Sequence, residues 1–417
     1  MTRRTRMTFR PLLRAAAAAL AACLLLGCTG CAAADLRTLL SGLLSGGKTA
    51  PDPTAYLSAF EDSWAYREMN DRLRACYGSL YTALTDTFAK DEQVTVEEND
   101  VPQPGIRITL PYTLSSKEEA QQLYAGFFRD NPQFFYVGNL FGLTGYEKDG
   151  APHYDTLVLR YWMDADTRQT ARQTMERAVD RILSGRPSTN DEYQTELYLH
   201  DRLASLCTYD DEAAATGYDA HPAAFSAYGA LAQGRAVCEG YSRAMQLLLR
   251  RAGMRSTLVI GKSRRTGEDH MWNVVSVNGR SYHVDVTWDD SEDMLRHNYF
   301  NLSTELIELS REITPGQSAA AVCKDTADNF YIRSGTYIDT YQRRLIAASI
   351  AAQVEQGATV IELRFAPDKY DNALLFLKNG KLTAQMVNTQ LTDGKTLGEY
   401  TLYGEADESI LSIKRRN

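Results

Sequence analysis

Apolar residues Leu57, Phe60, Trp64, Leu73, Leu80 and Leu84 recur at roughly helical spacing, which predicts helix from Tyr56 to about Lys90. The stretch GIRITLPY then alternates as a strand does, and Ser115/Ser116 followed by Glu118/Glu119 is the capping pattern that opens a helix. A β-rich run from Phe134 to Trp162 and a helix from Asp164 to Leu183 follow, and Gly185-Arg186-Pro187-Ser188 breaks the chain. From Asn190 to about Glu312 the pattern reads helix (Glu192 to Leu206), loop, helix (Cys238 to Ala252), then strands. Within those strands HMWNVVSV and RSYHVDVTW are joined by Asn278-Gly279, a strong signal for a two-residue hairpin loop. The last segment, Asp325 to Asn417, reads as helix (Ile338 to Gln356), strand (Val360 to Phe365), helix (Tyr370 to Asn379) and terminal strands. The expected fold class is α+β, with regions at 55–187, 190–312 and 325–417. Neither a tandem repeat nor a low-complexity tract is visible.

The first 27 residues break this pattern. Five arginines, Arg3 to Arg14, precede the apolar run AAAAALAACLLL, the layout of a secretory signal. That run is too short to span a bilayer as a permanent helix. Leu25-Leu26-Gly27-Cys28 resembles a bacterial lipobox, which implies cleavage before Cys28 and acylation of its thiol. An ordinary signal peptide cut near Ala32 to Ala34 is the alternative. Residues 28–54, small and polar with Gly46-Gly47, Pro51 and Pro53, suit a tether. The expected location is therefore outside the cytoplasm, on the membrane through a lipid anchor.

The remaining composition is ordinary for a globular chain of 417 residues, 44% hydrophobic and 24% charged, long enough for two or three domains. Loss of the signal takes five arginines and no acid, lowering the formal charge from −8 to −13. A surface this acidic argues against nucleic acid or anionic headgroups as partners. The seven cysteines include no CxxC pair, so a zinc module is not expected; the pairing of Cys31, Cys76, Cys207 and Cys323 is not legible.

One cysteine stands out. In GRAVCEGYSRAMQLLLRRAG, Cys238 opens a helix whose Tyr241, Met245, Leu248 and Leu249 continue one stripe, so its sulfur faces inward. The unpaired N–H groups and dipole of a helix N-terminus favour the thiolate, the nucleophilic form, and can hold an oxyanion. A small buried hydrophobe is the competing reading of a lone cysteine. In the hairpin, a two-residue loop pairs Val277 with Arg280; counting back sets Trp272 opposite Asp285 and His270 opposite Thr287. His270, Trp272 and Asp285 then share a face, with His270 and Asp285 diagonal neighbours. An imidazole beside a carboxylate is the pairing that orients a general base.

GRAVCEGYSRAM, HMWNVV and YHVDVTWDD, in that order, resemble the three motif blocks of the transglutaminase-like superfamily. LHDRLASLCTYD from Leu199 and Tyr228-Gly229-Ala230-Leu231 resemble its helix and loop upstream of the nucleophile. The resemblance covers about 120 residues and implies a papain-like core. It makes Cys238 the nucleophile, His270 the base and Asp285 its orienting partner. Tyr228 and Gln233 are candidate donors to the oxyanion or substrate, against a core tyrosine and a loop glutamine; Trp272 and Trp288 are candidate cleft walls, against plain core. His283 shares the catalytic face nearer the turn and reads as structural. The run Asp289 to Asp293 lacks the glycine and spacing of a known calcium loop and reads as a solvated turn.

The expectation is an exported lipoprotein whose Cys-His-Asp domain acts on protein, peptide or cell-wall amides through a thioester, as a peptidase or amidase more than as a cross-linking transglutaminase. A non-catalytic envelope scaffold is the rival. No cofactor is expected, and a metal site built from Cys238, His270 and Asp285 is disfavoured because one thiol, one imidazole and one carboxylate make a thin ligand set.

Overall fold

The computed structural model describes residues 63–90, 94–98, 101–290, 295–316 and 321–416. The expected signal segment, tether, anchor residue Cys28 and start of the first helix lie outside these residues. Among the described residues, no helix is long and apolar enough to cross a membrane.

The chain divides into two compact units: residues up to 189 with 194–258, and residues 190–193 with 259–417. This differs from the division expected at the 187/190 break, because the segment from 190 to 312 is split after Leu258.

The first unit begins with α1 (Trp64–Glu68), α2 (Asp71–Lys90), β1 (Thr95–Glu98), β2 (Val101–Leu114), α3 (Lys117–Asp130), β3 (Val137–Lys148), β4 (Ala151–Tyr161) and α4 (Ala165–Ser184). The four strands form an antiparallel sheet in the order β1-β2-β4-β3. The expected capping pattern holds: Ser116 Oγ accepts the Glu119 N–H at 3.1 Å, and Glu119 reaches back to accept the Ser115 N–H at 2.7 Å. The core is aromatic, with Tyr77 against Phe127 (4.8 Å between centroids), Phe127 against Phe134 (5.8 Å) and Phe88 against Tyr136 (5.7 Å). Burying each such ring contributes about 1.5–3 kcal/mol. Arg168 is buried with its guanidinium 5.2 Å from both the Tyr136 and Tyr161 rings.

The same unit continues through α5 (Glu192–Leu206) from Gln194 onward, β5 (Thr208–Tyr209), α6 (Asp211–Thr216), a short 3₁₀ turn (Pro222–Phe225), a π-turn (Gly229–Gln233), β6 (Arg235–Ala236) and α7 (Cys238–Arg251), with β5 and β6 paired in parallel. Charged contacts fasten α7 to the preceding region. Arg243 donates to the Phe128 carbonyl at 2.7 Å and Arg251 to Glu176 at 2.7 Å. Arg250 attracts buried Asp130, whose carboxyl burial pushes up to about 6. These pairings, none readable as contacts from residue spacing, tie α7 to the N-terminal region.

The second unit contains β7 (Ser256–Ser263) from Val259 onward, β8 (Asp269–Val277), β9 (Arg280–Val284), α8 (Val286–Asp289), α9 (Thr304–Ile307) and β10 (Arg311–Ile313), the strands ordered β10-β7-β8-β9. α10 (Phe330–Arg333), β11 (Tyr337–Ile338), α11 (Arg343–Glu355), β12 (Val360–Phe365), α12 (Tyr370–Lys378), α13 (Gly380–Asn388), β13 (Tyr400–Glu405) and β14 (Ile410–Arg415) follow, with a third sheet ordered β11-β12-β14-β13. Two expectations need correction here. Tyr337 and Ile338 form a strand parallel to β12 rather than the start of a helix, which begins at Arg343. The sequence reading also passed over α13, which is opened by Asn379 accepting the Leu382 N–H at 3.2 Å and packs Val387, Leu382 and Met386 on the apolar cluster.

Candidate active site

Cys238 is the first residue of α7. The approach to it is fixed by backbone contacts: the Val237 N–H donates to the Ala224 carbonyl at 3.0 Å, and β6 pairs with β5 just before it. Gly240 shows how close the packing is. A Cβ there would stand 2.4 Å from the Ala224 carbonyl oxygen and 2.7 Å from the Ala236 Cβ. Only glycine lets the first turn of α7 lie against this loop.

Four cysteines fall among the described residues, none in a disulfide, and Cys238 alone of them is not buried. Burial pushes the Cys76 thiol up and the Cys323 thiol up to about 12, so both are held as unreactive thiols at neutral pH. Cys238 therefore combines partial exposure with a helix start, where the first-turn N–H groups have no helical acceptor.

In the same unit Tyr228 precedes the π-turn and Gln233 is its last residue. The Tyr228 ring stacks on Phe135 at 5.3 Å and lies 6.4 Å from Trp162. Gln233 lines a cavity of about 260 Å³ with Trp162, Asp210, His221 and Arg235. Arg235 makes two bonds to Asp210, at 3.1 and 3.2 Å, and holds its carboxyl below the usual range.

In the second unit the hairpin follows the counted register, with Val277 opposite Arg280, Val274 opposite His283 and Asn273 opposite Val284. Asn278 and Gly279 turn it with φ of 51° and 77°, the left-handed pair such a loop requires. β9 then stops at Val284, short of the Thr287 that the count had placed opposite His270. Asp285 leaves the strand as the N-cap of α8, so Thr287 is helical and does not face His270 across the sheet.

The exit from the strand leaves Asp285 beside His270: Nε2 and Oδ2 are 2.8 Å apart. Asp285 is 1% exposed, yet its carboxyl lies below the usual range. Burial alone raises it; the attraction of His270 and Arg311, with their hydrogen bonds, outweighs that. An ionised Asp285 only accepts, so Nε2 carries the hydrogen and Nδ1 becomes the basic nitrogen of the neutral ring.

Arg311, on β10, was not singled out by the sequence. Its Nη2 donates to the same Oδ2 at 2.8 Å, and its side chain is 1% exposed. SREIT offers no pattern that distinguishes this arginine from one on any short strand.

Two expectations for the aromatic walls and the acidic run are corrected. Trp272 does not wall an open cleft: it is fully buried, and its indole N–H donates to His283 Nδ1 at 3.0 Å. Asp289 is not on a solvated turn; it is buried, and its carboxylate accepts the Tyr299 N–H at 3.0 and 3.2 Å. Asp290 is half-buried, and 291–293 lie outside the described residues. Trp288 is half-buried with guanidinium groups over its ring, Arg311 at 4.1 Å and Arg265 at 4.5 Å. His283 is structural as expected, bonded to Trp272 and, through Nε2, to Thr304 at 3.2 Å.

Residues 180–286 match the transglutaminase-like superfamily, and this segment of the chain is a transglutaminase-like domain within an α+β protein. It includes Cys238, His270 and Asp285 and crosses from one unit into the other. Among solved structures, the chain is similar to a transglutaminase at 14% identity over 48% of this chain and 55% of that one, with a TM-score of 0.27. It is also similar to a proposed protease from Parabacteroides distasonis (12% identity, 33% and 29% covered, TM-score 0.22) and to a proposed cysteine protease from Cytophaga hutchinsonii (11%, 36% and 63%, TM-score 0.22). The chain spans less than two thirds of each of these structures. No curated protein matches the sequence.

Proposed function

We propose that this protein cleaves amide bonds through a thioester on Cys238, ending in hydrolysis more than in transfer to an amine, and that acyl chains on Cys28 hold it at the outer face of a membrane. The observation that carries the chemistry is the buried His270–Asp285 pair, with an ionised Asp285 fixing the hydrogen on Nε2 and leaving Nδ1 as the base. The partly exposed thiol at the start of α7 supports Cys238 as the group that this base serves.

The steps balance as follows. The Cys238 proton passes to His270 Nδ1, and the thiolate attacks the carbonyl carbon, forming the C–S bond and placing the negative charge on oxygen, where N–H groups of the first turn of α7 stabilise it. Collapse breaks the C–N bond, and the imidazolium gives its proton to the departing amine. Water then loses a proton to His270 and attacks the thioester; the C–S bond breaks, releasing a carboxylic acid and restoring the thiol. An amine competes with water only where a site binds it and excludes solvent. The acidic run after Asp289 has no calcium-loop spacing of the kind that would gate such a site.

The deciding measurement is a partition ratio. With an acyl donor and a labelled primary amine at millimolar concentration, free acid is expected to dominate, and Cys238→Ala to abolish both products. Amide as the main product would replace hydrolysis with transglutamination. Activity that survives Cys238→Ala would overturn the nucleophile.

A further inference from the structure

His270 is only one of two cationic or potentially cationic partners on Asp285. Oδ2 accepts from His270 Nε2 and from Arg311 Nη2, each at 2.8 Å, while Oδ1 accepts the Trp288 N–H at 3.4 Å. The Arg311 guanidinium is clamped: its carbon lies 4.1 Å from the Trp288 ring centroid and 4.5 Å from that of Tyr299, and Nη1 donates to the Ser310 carbonyl at 3.3 Å. The clamp has its own support in the C-terminal region. The Tyr299 hydroxyl donates to Glu408 Oε1 at 3.0 Å, and the neighbouring Asn298 amide donates to Glu408 Oε2 at 2.6 Å. Glu408 is buried in the turn between β13 and β14.

Charge balance gives this arrangement a consequence. A buried carboxylate beside an imidazole favours the imidazolium, because the proton neutralises the pair. A permanent cation on the same oxygen reverses that preference, since Asp285 and Arg311 are already neutral together and a proton on His270 would leave a net buried positive charge. Among the described residues of this unit, neighbouring charged or titratable groups have partners of their own. Arg265 lies over Trp288 and pairs with Asp407 at 3.8 Å; Asp289 accepts from the Tyr299 backbone; Glu408 is bonded as above; His283 receives the Trp272 indole N–H.

We propose that Arg311 is a positioning residue of the active site: clamped by Trp288 and Tyr299 and supported from Glu408, it aims Asp285 at His270 Nε2 and keeps the imidazole neutral, with Nδ1 able to accept a proton. The C-terminal region is thereby part of the site's support. This rests on the reading of His270 as general base.

The test reads His270 directly by NMR titration of its ring in the full chain carrying Cys238→Ala, with the signal assigned by its loss in His270→Gln. Adding Arg311→Gln is expected to raise the titration midpoint by about 1–3 pH units, the usual effect of removing a nearby charge. Arg311→Lys, which keeps the charge, is expected to bring it back to within about one unit. A midpoint that Arg311→Gln leaves in place overturns the proposal. If Arg311→Gln fails to fold, Arg311→Lys in the active protein carries the test. Lysine cannot present a planar fork between two rings, so kcat is expected to fall about 10- to 100-fold with KM little changed, the signature of a disturbed base rather than of lost binding. An unchanged kcat overturns the positioning role. The titration needs no activity, so failure of the nucleophile reading, seen as turnover surviving Cys238→Ala, remains distinct from failure of this one.

Discussion

Two histidines on one hairpin face meet different fates. His270 faces an ionised carboxylate, whereas His283 is sealed in, with Trp272 donating to Nδ1 and Thr304 at Nε2. Burial pushes His283 down to about 3 from its ordinary 6.5, so the folded protein keeps it neutral where the unfolded chain protonates. That contribution is fully present above pH 6.5 and is lost as pH falls from 6.5 toward 3, at about 1.4 kcal/mol per unit. Asp130 and Glu176, pushed up to about 6 and 7 by burial, titrate in part of the same window with the opposite sign, but they do so equally in wild type and variant. Urea unfolding at pH 7 and pH 5 is therefore expected to cost the wild type about 2 kcal/mol more than His283→Gln; equal losses would refute a buried neutral imidazole. The His270–Asp285 pairing was legible because strand alternation and a two-residue turn fix which residues share a face. Arg311 was not, because its role comes from the sheet order β10-β7-β8-β9 and from Trp288 and Tyr299, none of which is encoded in SREIT.

At the scale of elements, the helix opened by Cys238 was visible in its apolar stripe, and the structure bounds it at Cys238–Arg251. What the stripe does not reveal is how closely the first turn lies against its loop. Gly240→Ala places a methyl within 2.4 Å of a carbonyl oxygen, which no side-chain rotation relieves. Such overpacking is expected to cost about 1–3 kcal/mol and to displace the turn carrying the thiol, so kcat/KM should fall at least about tenfold while circular dichroism remains native-like. Full activity in Gly240→Ala would show that the turn tolerates the shift. The errors at this scale share one cause. β9 ends at Val284, Tyr337–Ile338 forms a strand and α13 forms a helix because tertiary partners decide the outcome: the Asp285 N–H donating to the Tyr299 carbonyl, β12 accepting β11, and an apolar cluster that Val387 completes.

At the scale of the molecule, attachment and folding are separate questions. The arginine-rich start and Leu25-Leu26-Gly27-Cys28 lead to the expectation that membrane fractionation will recover the wild type in the membrane pellet and Cys28→Ala in the soluble fraction or as uncleaved precursor. Unchanged processing and partitioning in Cys28→Ala would remove the anchor. The sequence by itself determined what local physics encodes: the α+β class, most helices and strands, the hairpin register that brings His270 to Asp285, and the three blocks that mark a transglutaminase-like domain. Periodicity and turn chemistry act over a few residues, so they survive in a one-dimensional reading. Only the tertiary structure decided that the helix opened by Cys238 belongs to one compact unit with the N-terminal region, held by Arg243, Arg250 and Arg251, and that Arg311, Tyr299 and Glu408 stand behind Asp285. The hydrogen-bonded pairs among them lie from 26 to 115 residues apart in the chain, and groups at such separations meet through packing, which no local pattern carries.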